Sequence, residues 1–271
     1  AVKIAFVDQL SRSGLQEIEA GAFVSPKWVP QLADSAEVFR GIRRAPGVVY
    51  SALVPNLQGL ERALEAKADK IAVFTAASET FTRKNINATI GESLERFRPV
   101  IEGARRAGLP VRGYVSTAFW CPYEGRMPPA AARAVTLRLL ELGADEVSIG
   151  DTIGKALPEE IDGLLDVLLA ELEPGRLAMH FHDTYGHAVE NVLASLRRGV
   201  RTFDASAGGL GGCPYAPGAS GNVATEAVVA ALRAAGEDVG VDLEALATAG
   251  GILKPALGPR AGTKPGGGRS G

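Results

Sequence analysis

Short apolar runs alternate with longer amphipathic stretches along most of this chain. Seven runs are of strand length, and most carry β-branched or aromatic residues: 15–22 (LQEIEAGA), 48–54 (VVYSALV), 70–75 (KIAVFT), 111–118 (VRGYVSTA), 146–151 (EVSIGD), 177–182 (LAMHFH) and 202–207 (TFDASA). Between them, apolar residues recur three and four positions apart. Val135, Leu139 and Leu142 share a face in 130–142, 161–172 is rich in leucine, and 223–235 reads as a further helix. Gly14, Gly108, Gly143 and Gly199 each stand where a helical pattern stops and a strand follows.

Strand followed by helix at this spacing predicts a parallel sheet with crossover helices. The chain opens on a helical stripe of Val2, Phe6, Val7 and Leu10 that stops at Gly14. A helix leading into a strand is the second half of a βα unit. One more strand ahead of it would make eight, the number that closes a barrel. The expected fold is therefore a TIM-type (β/α)8 barrel over residues 1–258, with seven of eight strands visible and the first absent. A seven-stranded open doubly wound sheet fits the same alternation. After Gly258 the chain reads PRAGTKPGGGRSG, and 259–271 is expected to be a flexible tail of Gly, Pro and basic residues.

Composition narrows the class. The 271 residues are 46% hydrophobic and 22% charged, which is globular rather than disordered. A formal net charge of −2 implies no bulk attraction to nucleic acid or to an anionic membrane. No apolar run approaches the ~20 residues of a membrane helix. The two cysteines, Cys121 and Cys213, are far apart and not in a CxxC pair, which argues against a disulfide framework or a structural zinc site. The Ala, Arg and Gly richness suggests a bacterial cytoplasmic protein, while an opening at Ala1 is also compatible with a removed organelle signal, hence a mitochondrial origin.

Candidate chemistry concentrates at strand ends. His180 and His182 sit two apart in one strand, so their side chains point the same way. At the C-terminal end of a barrel strand they would converge on the mouth as metal ligands. A hydrogen-bonded pair of barrel histidines is the plainer alternative. The segment 208–226 (GGLGGCPYAPGASGNVATE) carries six glycines, as a closing lid needs, and Cys213 sits within it as a candidate proton carrier or nucleophile. Asn222 could cap the following helix or ligate a hard cation. Two histidines with an asparagine suit such a cation better than tetrahedral zinc. Glu19 and Asp151 end apolar strands, where a carboxylate needs either a catalytic role or an ion pair with a barrel lysine or arginine. Asp183 is a further candidate, as a partner that orients a histidine. Lys27, Arg83 and Lys84 are candidate contacts for an anionic substrate or plain surface charges.

Several of these stretches resemble one family. FVSPKWVPQ at 23–31, KNIN at 84–87, DTIG at 151–154, HFHDTYG at 180–186 and the glycine-rich 208–226 together are similar to the 3-hydroxy-3-methylglutaryl-CoA lyases, nearly to the tail. FVSPKWVPQ and GGCPYAPGASGNVATE are the specific pieces; the HxH and DTIG elements are shared with related barrel aldolases and synthases. The resemblance implies a TIM barrel and divalent-metal cleavage of 3-hydroxy-3-methylglutaryl-CoA to acetoacetate and acetyl-CoA, as in leucine and ketone-body metabolism. It implies an acyl-CoA substrate, magnesium or manganese as cofactor, and a homodimer. It also implies that His180, His182 and Asn222 ligate the metal, that Cys213 serves proton transfer, that His182 is a candidate base, and that Asp151, Glu19 and Glu226 support the site. The family's first strand bears an Arg-Asp-Gly-Leu-Gln motif supplying a carboxylate ligand and a cation for the thioester carbonyl. No such motif occurs here, so the chain as given is expected to lack both and to be impaired as a catalyst. A lyase for citramalyl-CoA or a longer branched 3-hydroxyglutaryl-CoA fits the same residues, and a non-catalytic acyl-CoA-binding barrel is the reading from outside enzymology.

Overall fold

The period-two runs form strands and the period-3.6 runs form helices, as their patterns predict. The structure is a computed structural model describing residues 1–27, 29–211 and 221–257, the side chains through 253. The expected 259–271 tail and Cys213 lie outside the described residues. The strands are β1 (Glu17–Ala22), β2 (Val49–Leu53), β3 (Lys70–Ala76), β4 (Val111–Ser116), β5 (Trp120–Cys121), β6 (Gly125–Arg126), β7 (Glu146–Asp151), β8 (Leu177–Phe181) and β9 (Thr202–Asp204). The helices are α1 (Val2–Leu10), α2 (Ser35–Gly41), α3 (Leu57–Glu65), α4 (Glu79–Ile86), α5 (Ile90–Arg106), α6 (Pro129–Glu141), α7 (Pro158–Leu169), α8 (Ala188–Arg197), α9 (Thr225–Ala234) and α10 (Leu243–Leu257). The four glycines expected to stop helices all take positive φ. The β5–β6 hairpin was not expected, because two-residue strands leave no period to read.

Seven strands make one sheet in the order β1-β2-β3-β4-β7-β8-β9, each pairing parallel with its neighbour. One side chain decides between barrel and open sheet. Laid flat, β1 and β9 would stand about 29 Å apart, six spacings of ~4.8 Å. Arg112, in the central strand β4, nevertheless pairs with Glu17 of β1 at 3.6 Å and with Asp204 of β9. A single guanidinium reaches both edges only if the sheet curls round it. The sheet is therefore a curled, barrel-type wall of seven strands, and the open-sheet alternative is excluded.

The two faces of the wall differ in chemistry. The outward positions Ile18, Tyr50, Ile71, Val73, Val111, Val115, Val147, Ile149, Leu177, Met179 and Phe181 are buried beneath the helices, and this layer is the hydrophobic core. The inward positions, fixed by register, include Glu17, Glu19, Ser51, Lys70, Arg112, Tyr114, Glu146, Ser148, His180 and Asp204. Barrel interiors are ordinarily filled by branched aliphatics. Here the lower interior is ionic: Lys70 bonds Glu17 at 2.7 Å and also Glu146, and Arg112 bonds Glu146 at 2.9 Å. Buried charges persist only when paired in this way.

Candidate active site

The upper interior holds the candidate groups. His180 and His182 project from the end of β8 with ring centroids 5.4 Å apart. Asn222 is brought back against them by an antiparallel bridge to His182, and Val223 N–H donates to the Phe181 carbonyl at 3.0 Å. The Asn222 amide nitrogen donates to the Leu210 carbonyl at 2.8 Å. Its amide oxygen is left beside the two imidazoles and partly offsets the lowering of their pKa values. Helix α9 begins at Thr225 after an extended Ala224, so Asn222 is not its cap. That correction follows from the bridge, which holds Asn222 in the wall rather than at a helix end.

Burial keeps both imidazoles neutral. It pushes His182 down to about 4, with His180 beside it adding to the effect, and it lowers His180 as well, against the pull of Asp204. His182 Nδ1 is buried with no hydrogen-bond partner. Neutral imidazole is the form that donates a lone pair to a metal. Among the described residues no group of three or more His, Cys, Asp and Glu is arranged to hold a metal; the candidate set is two histidines and an amide.

The carboxylates occupy distinct roles. Glu19 accepts a hydrogen bond from the Tyr114 hydroxyl at 2.7 Å. The residue is exposed overall, yet protein atoms surround its carboxyl group closely. That crowding is the main cause that raises its pKa to about 7; the Tyr114 bond opposes the rise and nearby Asp204 assists it. Asp151 is fully buried and accepts from the backbone N–H of Lys155 at 3.2 Å and of Ala156 at 2.9 Å. Burial raises it to about 6 against those bonds. Neither carboxylate forms an ion pair among the described residues, so the ion-pair alternative fails for both: a phenol serves one and a backbone turn the other. Glu226, in the first turn of α9, accepts the Gly208 N–H with both oxygens, at 3.1 and 3.0 Å, tying the glycine-rich segment to the wall. Asp183 accepts from the first backbone N–H of α8, that of Ala188, at 3.2 Å, and among the described residues it bonds no histidine. Lys27, Arg83 and Lys84 are exposed, with Lys84 over the Tyr123 ring at 4.1 Å.

The residues absent from the sequence reading are Tyr114, Arg112, Ser148 and Asp204. Ser148 donates to Asp204 at 2.6 Å, and Arg112 holds the same carboxylate, which stands near His180. A signal was available. VRGYVS and EVSIGD carry polar side chains two apart, the same alternation that singled out the histidines.

A curled parallel wall with His180, His182 and Asn222 brought together at the C-terminal end of β8 is of the TIM-barrel class. The chain belongs to the HMGL-like family, whose model matches residues 1–252. It is 51% identical to the 3-hydroxy-3-isohexenylglutaryl-CoA/hydroxymethylglutaryl-CoA lyase of Pseudomonas aeruginosa, over 97% of this chain and 88% of that protein. The crystal structure of the HMG-CoA lyase from Brucella melitensis matches with a TM-score of 0.91 at 55% identity, covering 94% of this chain and 90% of the other. A structure of an HMG-CoA lyase from Acinetobacter baumannii in complex with coenzyme A and 3-methylmalate matches with a TM-score of 0.89 at 40% identity, covering 94% and 83%. No helix among the described residues is long and apolar enough to cross a membrane.

Proposed function

We propose that this chain cleaves 3-hydroxy-3-methylglutaryl-CoA to acetoacetate and acetyl-CoA with the help of a divalent cation. The observation that carries the reading is the convergence of His180, His182 and Asn222 at the barrel mouth of an HMGL-like chain. The residues present fit such an ion. Both imidazoles are neutral, His182 Nδ1 lacks a partner, and Asn222 is anchored through its nitrogen, leaving its oxygen as donor. The resemblance puts magnesium first and manganese second; the Asn222 oxygen would suit either ion, and the two imidazole nitrogens would suit manganese better than magnesium. When bound, the cation supplies Lewis acidity toward the C3 oxygen and the substrate carboxylate.

The chain's own residues then account for the protons. Glu19, poised near 7, accepts the proton of the C3 hydroxyl, and Tyr114 fixes the direction of that carboxylate. His182 is the other candidate base, but a pKa of about 4 makes it a weak one and leaves it better suited as a ligand. The C2–C3 bond breaks as C3–O becomes a carbonyl, and the electron pair passes to C2 as a thioester enolate. Cys213 delivers one proton to C2; Glu19 then releases its proton to solvent and the Cys213 thiolate takes one back, so the cleavage is redox-neutral and consumes no water. Asp151 holds the turn behind His182, and Glu226 holds the start of the segment bearing Cys213.

A second reading, a longer branched 3-hydroxyglutaryl-CoA as substrate, is favoured by the Pseudomonas aeruginosa relative named for both activities. The test is to supply 3-hydroxy-3-methylglutaryl-CoA, its isohexenyl analogue and citramalyl-CoA separately and compare kcat/KM. The highest value for the methyl compound supports the assignment; a higher value for either other thioester overturns it. We also propose a homodimer in the cytoplasm, from the resemblance and the composition; sedimentation equilibrium at the monomer mass would contradict the dimer.

A further inference from the structure

Beside the mouth lies a cleft of about 580 Å³ whose lining residues have no part in the bond cleavage described above. It is lined by Trp120, Arg126, Lys155, Glu159, Tyr185 and His187, and its volume is within the usual range for a small-molecule site. Its charged groups are already oriented. Glu160, itself only 15% exposed in its side chain, accepts from Trp120 Nε1 at 3.1 Å and from Arg126 Nε at 2.9 Å. The Arg126 side chain is 69% exposed, and its two terminal nitrogens have no partner among the described residues. Lys155 rests over the Trp120 ring at 3.9 Å. Two cations are thus fixed near one indole, and Tyr185, 58% exposed as a residue, also lines the cleft. A large aromatic left in water beside two oriented cations is the pattern that binds a planar base carrying phosphate.

The cleft shares a turn with the candidate active site. Lys155 supplies the backbone N–H held by Asp151, and Ala156 supplies the second. Gly154, at φ +70°, packs so closely that a Cβ there would lie 2.6 Å from the His182 carbonyl. A ligand on the Lys155 ammonium therefore bears on the same few residues that hold His182.

We propose that this cleft binds a nucleotide-type ligand, its base on Tyr185 and its phosphate on Arg126 and Lys155. Two sources share that chemistry: the nucleotide end of an acyl-CoA, or a free nucleotide acting as an effector. The binding claim is independent of the lyase reading; only the assignment of the source rests on it.

Calorimetry with adenosine 5′-phosphate, adenosine 3′,5′-bisphosphate and inorganic phosphate tests the proposal. The proteins are the unsubstituted chain, Tyr185→Ala, Arg126→Ala and Lys155→Met, each shown to be folded by circular dichroism. Saturable binding of at least one nucleotide is expected, weakened about tenfold by Tyr185→Ala, since stacking on an aromatic accounts for roughly that factor. Arg126→Ala is expected to weaken it similarly and to lower its salt dependence. No nucleotide binding, affinity indifferent to all three variants, or inorganic phosphate binding as tightly as either nucleotide would each overturn the proposal. Where binding holds, inhibition competitive with the acyl-CoA identifies the substrate's own nucleotide end, and a change in kcat at unchanged KM identifies a separate effector.

Discussion

Replacing Arg112 by methionine keeps most of the side chain's volume and removes its charge from the barrel interior. The arginine is only 6% exposed and serves Glu146, Glu17 and Asp204 at once. Lys70 remains for Glu17 and Glu146, so Asp204 loses most: among the described residues it keeps only the Ser148 hydroxyl. Leaving a buried charge without its partner costs about 3–5 kcal/mol. That is a large part of the ~5–15 kcal/mol that holds a typical domain folded. At ~2–4 °C per kcal/mol for a domain approaching this size, the melting temperature should fall by roughly 10 °C. The pH dependence identifies the mechanism. Burial would raise the Glu146 pKa, but Arg112 and Lys70 overcome it and hold the group below the usual carboxylate value. A depressed folded pKa contributes stability above the unfolded value, and that contribution is lost as pH falls through the folded one. In the variant the released carboxylates should shift upward instead, favouring the folded state at low pH and opposing it as pH rises. The deficit relative to the parent should therefore shrink between about pH 7 and pH 4. Urea unfolding at several pH values measures it. A deficit under about 1 kcal/mol, or one that does not change with pH, would refute the view of the interior as a coupled ionic layer.

Other predictions follow from the same geometry. Asp151 is raised from 3.8 to about 6, so its contribution to stability is present below its unfolded pKa and lost as pH rises through about 6. Asp151→Asn should flatten the stability–pH profile over that window, where the parent loses roughly 3 kcal/mol at 1.36 kcal/mol per pH unit; an unchanged slope in urea unfolding would contradict the assignment. Gly154→Ala adds a Cβ to a residue at φ +70° facing the His182 carbonyl, and should lower kcat/KM at least tenfold with a folded far-UV spectrum. Wild-type kinetics in that variant would show that the turn does not position His182. Cys213→Ser should lower turnover and leave cation affinity unchanged, whereas His182→Ala should weaken cation affinity in calorimetry; the reverse pattern would exchange their roles.

Most of the wall was legible because strands and helices each bury one face. The runs at 48–54, 70–75 and 146–151 became β2, β3 and β7 within a residue or two, and the rule that residues two apart share a face placed both histidines correctly. The same rule puts Arg112 and Tyr114 on one face of 111–118, but barrel interiors are ordinarily aliphatic, so the apolar positions of that run read as its buried face. Curvature was not legible, because the pattern of a parallel strand is the same in an open sheet and in a barrel. Only the three-dimensional reach of Arg112 distinguishes them. The two alternatives for Asn222, helix cap or cation ligand, stay open in the sequence for a related reason: a residue just ahead of a helix has the same context whether it caps the helix or pairs with a distant strand. The return of 221–224 against β8 is a long-range event with no local signature.

The most direct test of the central claim is acetoacetate release from 3-hydroxy-3-methylglutaryl-CoA by protein treated with chelator, before and after magnesium is restored, in the unsubstituted chain and in His180→Ala. The account predicts no release after chelation, recovery with magnesium in the unsubstituted chain, and little recovery in the variant. Release that persists through chelation, or recovers equally in His180→Ala, would contradict a cation held by His180, His182 and Asn222 as the basis of the activity.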